Sequence, residues 1–290
     1  SAWTMFFFGF ASGMPFLLVA GTLAYWLTEN GLELKNITLI ASAGLTYTLK
    51  FLWAPLVDRW RLPLLGRLGQ RRGWLLLALG AVIVGLLLMA HLTPGKLAPF
   101  IWVTLLTAFA GATLDIAVDA YRIEIAPQES QGALLATYSL GYRIALIITG
   151  ALALMLADQV SWPLVYQAMA AVMLIPVVAV LLSREPDVVR IRMTTWSEGL
   201  QEGVVEPFAD FFRRFGIALA IALFAFILLA KISDQSLGGG IMAPFYLSQG
   251  FTKTEIGAVS KIWGVWVGLV GVFIAGIAVA RWGVKWPLLA

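Results

Sequence analysis

Cysteine is absent from these 290 residues. That excludes a disulfide framework and a thiolate metal site. Charge is scarce as well. Asp, Glu, Lys and Arg make up 12% of the chain, against about 25% in an ordinary soluble domain. Histidine occurs once, as His91, next to Thr93-Pro94-Gly95, a setting that suits an interfacial residue better than a ligand. No Walker A run is present, which argues against ATP-driven transport by this chain. There is no HExxH pair and no nucleophile–base constellation, so the reading is not an enzyme, and neither a metal nor a cofactor is implied.

What fills the chain instead is hydrocarbon. Hydrophobic residues make up 60%, and the mean hydropathy is +0.88. Apolar runs longer than about 18 residues recur, the mark of helices that cross a bilayer. Barrel strands would alternate polar and apolar residues, and these runs do not. The expectation is an all-α polytopic bundle embedded in lipid. The pI near 9.4 does not indicate nucleic acid, because the basic residues cluster in loops beside apolar helices, as membrane topology requires.

Eight spans are expected, near 3–27, 37–57, 74–92, 98–121, 132–156, 162–182, 215–247 and 255–280. The first holds Gly9 and Gly13, a GxxxG pair that permits close helix approach, and then Pro15, expected to kink it. Pro176 is expected to bend the sixth. The seventh is too long for one straight crossing, and Gly238-Gly239-Gly240 with Pro244 should break it. The eighth carries Gly264, Gly268, Gly271 and Gly276 as a packing face. Between the sixth and seventh spans, residues 183–214 hold eleven charged residues. Within that linker, Thr195–Phe208 is a candidate amphipathic helix on the membrane surface. Ser1 in place of an initiator Met, and the apolar WPLLA at the end, are expected of a piece of a longer chain.

Arginine is concentrated between the second and third spans, where Asp58–Gly73 holds five arginines and one acid. Alternate loops and the final tail together carry thirteen Lys/Arg, the opposite loops three, and the spans four. The positive-inside rule therefore expects a cytoplasmic N-terminus and a cytoplasmic linker.

Charges inside spans mark candidate function, because they are costly in lipid and face a bundle interior or a water path. Leu114–Arg143 is the densest such stretch. Asp115, Asp119 and Arg122 fall at i, i+4 and i+7 on one helical face. Arg143 lies roughly 16 Å into the next helix at the standard rise. Lys50 lies about 10 Å inside the second span, and Lys231 stands near the middle of the seventh. These three cations suit a substrate bearing carboxylates. Tyr47, Trp53, Tyr138 and Tyr142 offer stacking surface for sugar rings, and Tyr142 adjoins Arg143. Asp115, Asp119 and Asp234 are candidate proton carriers, although Asp234 beside Lys231 also fits a permanent ion pair. Lys261 is a weaker candidate, able to snorkel to the interface.

Six helices, a charged linker and further helices resemble the plan of the major facilitator superfamily, which has two six-helix halves. On that plan residues 1–182 form the first half, 183–214 the linker, and 215–290 the start of the second. Asp58-Arg59 resembles the superfamily's Gly-x-x-x-Asp-Arg signature, with Ala54 in place of the Gly and a stretched spacing to Gly66-Arg67. The resemblance implies a gating role for Asp58 and Arg59 at the cytoplasmic ends of the halves.

A narrower resemblance rests on GFASGMPFLLVAGTLAYWL, LKFLWAPLVDR, GQRRGWLL, LDIAVDAYRIEIAP, YSLGYR, VEPFADFFRR and KISDQS. In combination these resemble the AmpG muropeptide permeases of Gram-negative bacteria. The resemblance implies a multi-pass inner-membrane importer of anhydromuropeptides, driven by protons, serving cell-wall recycling and β-lactamase induction. It implies no partner beyond substrate, protons and lipid, and a full-length chain acting as a monomer. Two other readings stay open: a transporter of another organic anion such as acetyl-CoA, and a non-transporting membrane sensor or scaffold.

Overall fold

The computed structural model describes residues 2–92, 94–95, 97–187, 201, 205–236, 240–264, 266–268, 270–271, 274 and 281. Among them there is no β-strand. Five helical stretches are long and apolar enough to cross a membrane: Ala2–Glu29, Gln70–His91, Leu97–Ile125, Gln128–Ala157 and Trp162–Leu182. They match the first and the third to sixth expected spans. Apolar side chains cover the outside as well as the inside. Val84, Leu88, Leu174, Val178 and Leu182 are all exposed, as suits helices solvated by lipid.

The first stretch is two helices, α1 (Ala2–Leu18) and α2 (Gly21–Glu29). Pro15 does not end α1. The interruption comes at 19–20, where Ala20 leaves the helical region (φ −135°, ψ −90°) just before Gly21. The Leu18 carbonyl at the break accepts a bond from the buried Tyr166 hydroxyl at 2.7 Å, and Thr22 donates to the Thr149 carbonyl at 2.7 Å. A break inside lipid persists only where its polar groups are bonded again.

The second expected span is not one helix. It divides into α3 (Leu34–Ala41), a 3-10 turn, α4 (Thr46–Leu49), a second 3-10 turn and α5 (Ala54–Arg59). The hydroxyls of Ser42 and Thr46 take up the carbonyls of Leu39 and Ala43 at 2.6 Å each, which favours tight local turns over a continuous ladder. Pro55 removes the N–H that a continuous helix would give to the Phe51 carbonyl, and its ring crowds that carbonyl. Trp53 sits at φ −116°, ψ 1°.

Next come α6 (Gln70–His91), α7 (Leu97–Ile125) and α8 (Gln131–Ile147), followed by a π-helical turn (Ile148–Leu152) and α9 (Ala153–Ala157). Helices α10 (Trp162–Val172) and α11 (Leu174–Leu182) form the sixth span and meet at Met173, three residues before Pro176. The seam between α1 and α8 is made by glycine on both sides. A Cβ on Gly9 would strike the Tyr138 carbonyl, and one on Gly141 would strike the Phe6 carbonyl. At Gly13 it would stand 2.7 Å from the Tyr142 carbonyl oxygen. The GxxxG pair therefore brings two backbones together and fixes which side chains of α8 face inward.

At the arginine-rich end, Arg71 is 3% exposed and bonds two acids. It meets Asp58 at 2.9 Å and Glu124 at 2.5 Å. The Glu185 carboxylate accepts from the backbone N–H groups of Arg71 and Arg72, at 2.9 and 3.0 Å. An acid there suits the positive end of α6. Asp58, expected to gate, is bonded to α6 and reaches Glu124 of α7 only through Arg71. Thr195–Phe208 lies mostly outside the described residues. An amphipathic helix, α12 (Glu206–Phe215), begins in its last three residues and continues beyond it, and the Phe208 ring stacks on Phe224 at 5.3 Å. The seventh expected span appears as α13 (Ile217–Ser236) and α14 (Met242–Ser248), and α15 (Lys253–Ile256) with a π-helical turn opens the eighth.

Candidate functional site

Helix α8 presents Ser139, Arg143 and Leu146, with Tyr138 and Tyr142 beside them, at spacings that put neighbours on one helical side. Opposite stand Ser12 of α1, Tyr47 of α4 and Asp115 of α7. Together these eight residues line a cavity of about 430 Å³, within the usual range of small-molecule sites. The rings of Tyr138 and Tyr142 stack with centroids 6.1 Å apart. Polar groups of this lining are left without a counterpart among the described residues. Arg143 makes no ion pair among the described residues. The Tyr47 and Ser12 hydroxyls are buried without a hydrogen-bond partner among them. A buried donor left open in this way calls for a ligand or water.

Lys50 takes a different place. It forms an ion pair with Asp115, and its Nζ lies 3.6 Å from Asp119 Oδ2. Asp119 in turn faces Arg122 at 3.8 Å, and Tyr138 donates to Asp115 at 3.1 Å. The result is an alternating row, Tyr138–Asp115–Lys50–Asp119–Arg122. It runs about 10 Å along α7 by rise per residue, from the cavity toward the end where Arg71 is buried. Side-chain exposure rises from 16% at Asp115 to 42% at Asp119 and falls again to 17% at Arg122. Arg122 closes the row through Gln131, whose side-chain oxygen accepts from it at 3.3 Å and whose amide donates to the Ala126 carbonyl at 2.9 Å.

The break of the second span explains the reach of Lys50. As a straight helix, that segment would carry Lys50 and Trp53 on one face. In the structure they part. Trp53 is not among the cavity-lining residues. Its indole donates to Thr113 at 3.0 Å and its ring lies on Phe109 at 4.6 Å, away from Arg143. Asp58 and Arg59 also lie apart from the cavity, at the arginine-rich end. The side chains of Lys231, Asp234 and Lys261 lie outside the described residues.

Three groups escaped the sequence reading. Ser12 and Ser139 line the cavity, yet serine in a span gives no signal by itself. Glu124 is the second partner of Arg71; five residues beyond Asp119 it falls on a different side of α7, so the spacing of the acids gave no signal for it. Lys253, one of the three cations in the loops opposite the basic ones, is 8% exposed and sits in a cluster of its own.

Known proteins place this arrangement. The family model described as Major Facilitator Superfamily matches residues 4–290. A putative transporter AmpG 4 of Rickettsia conorii is 38% identical over 288 residues, covering 96% of this chain and 67% of that protein. The anhydromuropeptide permease of Escherichia coli K12 is 37% identical over 277 residues, covering 94% of this chain and 54% of its own length. The chain thus spans between about half and two thirds of these relatives. A crystal structure of a D-xylose-proton symporter superposes with a TM-score of 0.63 at 13% identity, over 97% of this chain and 68% of that one, which is a likeness of fold. With its apolar helices and buried charge, this chain is a multi-pass membrane protein that belongs to the major facilitator superfamily and, within it, to the AmpG family.

Proposed function

We propose that the full-length protein imports anhydromuropeptides across a bacterial inner membrane, drawing on the proton gradient. The observation that carries this reading is the cavity of about 430 Å³ where Arg143, without an ion pair among the described residues, stands beside stacked tyrosines. A guanidinium suits a carboxylate through two parallel hydrogen bonds, and aromatic faces suit sugar rings. The relative named anhydromuropeptide permease supports the same substrate.

On this reading Arg143 receives a substrate carboxylate, Tyr142 and Tyr138 bear the sugars, and the Tyr47 hydroxyl adds a hydrogen bond. Lys50 is already neutralised by Asp115 and Asp119. It therefore acts in coupling, where the charge on either acid sets how the row is held. Protonating one acid releases Lys50 toward the other, so proton loading and the shape of the cavity wall are linked. Asp58, Arg59 and Arg71 hold the arginine-rich end and serve the gate there. Orientation by the positive-inside rule makes that end cytoplasmic.

The test is uptake of radiolabelled anhydromuropeptide by cells lacking their own permease, comparing the full-length parent with Arg143→Ala at matched membrane abundance. Uptake by the parent, abolished by a proton uncoupler and reduced at least tenfold in the variant, is the expected result. No uptake by a well-expressed parent sinks the substrate assignment. Normal uptake by the variant returns Arg143 to a structural role.

A further inference from the structure

At the end of the molecule opposite the arginines, a second charged cluster ties together parts of the chain far apart in sequence. Lys253 stands in the first turn of α15, behind a capping box in which Thr252 and Glu255 bond each other's backbone N–H. Its Nζ lies 2.7 Å from Glu29 Oε1, at the end of α2. It donates to the Ala157 carbonyl at 2.6 Å, where α9 ends, and stands 3.6 Å from Asp158. It also lies over the Trp162 ring of α10, 5.4 Å from the centroid. Trp162 donates in turn to Glu29 at 2.5 Å. Thr254 donates to Asp158 through its backbone N–H and its hydroxyl, at 2.7 and 2.6 Å.

One cation from the chain after residue 240 thus binds three helix ends from the chain before residue 187. The layers below follow the same division. Ala243 of α14 is buried, and Gly257 approaches the π-helical turn so closely that a Cβ there would lie 3.0 Å from the Ala151 carbonyl oxygen. Arg143 lies some fourteen residues from Ala157 along α8 and α9, about 20 Å by rise. The cluster therefore caps the molecule well beyond the cavity.

We propose that Lys253 is the latch of a gate at this end, holding closed the route from the cavity to the face opposite the arginine-rich loops. The proposal rests on the transport reading above. The chemistry suits a contact that must open and close. Buried ion pairs gain little net free energy over hydrated ions, since attraction and desolvation nearly cancel. A latch of this kind is specific in geometry yet reversible once water enters. A hydrophobic seam of the same extent would hold that end shut.

The test is accessibility of the cavity from outside. Residues 1–290 contain no cysteine, so Ser139→Cys is placed in a full-length protein otherwise free of cysteine. Right-side-out spheroplasts are then treated with a membrane-impermeant thiol reagent. Labelling should be slow with Lys253 in place and rise at least fivefold with Lys253→Met, while Lys253→Arg stays within twofold of the starting rate. The double variant Glu29→Gln, Asp158→Asn should also raise labelling, and it decides the matter if Lys253→Met fails to accumulate. Unchanged labelling in folded protein, as judged by thermal melting, overturns the latch. The assay needs no substrate. A protein that imports no muropeptide yet shows the change keeps the latch and loses the substrate assignment.

Discussion

Lys50 and Asp115 form an ion pair across the cavity wall, and Asp119 stands 3.6 Å from the same ammonium group. Two acids thus share one cation, while Arg143 on the facing helix makes no ion pair among the described residues. This separates the buried cations into one already balanced and one open to an anionic ligand.

Removing one partner of the first pair leaves a partly buried charge exposed to low dielectric. Lys50→Ala and Asp115→Ala are each expected to lower stability by about 1–3 kcal/mol, below the range for fully buried pairs because water still reaches both groups. The double variant should be more stable than the sum of the two losses implies. Thermal melting of the three detergent-purified proteins measures this, and strict additivity would refute the pairing.

Coupling is separable from binding at Asp119. Asp119→Asn removes the more exposed acid of the row while Asp115 keeps hold of Lys50. Net uptake driven by a proton gradient should fall at least tenfold. Exchange of labelled for unlabelled substrate, which needs no net proton movement, should stay within about threefold of the parent. Loss of both activities together would move Asp119 from coupling to binding.

The glycine seam between α1 and α8 makes a geometric prediction. Gly141→Val places carbon where the Phe6 carbonyl stands, and overpacking of this kind costs about 1–3 kcal/mol or more. The protein should melt several degrees lower and accumulate poorly. Gly80→Ala, with nothing within 4 Å of the added carbon, is the control and should be neutral or slightly stabilising. Equal effects at both positions would disprove the close approach.

Arg71 and Arg67 belong to one loop region and should behave differently. Arg71 is buried between Asp58 and Glu124, and Arg71→Ala removes the cation that both acids share, at about 3 kcal/mol. Arg67 is exposed, so Arg67→Ala should stay within about 0.5 kcal/mol. Melting curves of both variants decide it.

Much of this was legible in the sequence for physical reasons. Long apolar runs dictate helices in lipid, because a backbone there must bond to itself. The i, i+4, i+7 spacing of Asp115, Asp119 and Arg122 dictates one face. Gly9 and Gly13 announced a close approach, which the structure makes against α8. The second span was harder to read. Its composition is that of a continuous helix, and the competing bonds from Ser42 and Thr46 look ordinary in a string of letters. That break separates Trp53 from Lys50 and removes it from the cavity.

What the sequence determined by itself is local and periodic: which segments are helical, which charges lie within them, and which residues share a helical side. Pairing across the bundle was decided only by tertiary structure. Lys50 and Asp115 are 65 residues apart, and nothing in local spacing says that one will meet the other while Arg143 stays open. The same holds for Lys253. As a letter it is one cation in a short loop. It becomes the buried partner of Glu29 and Trp162 only because packing brings four distant helix ends to one point, where an unpaired charge would be too costly to keep.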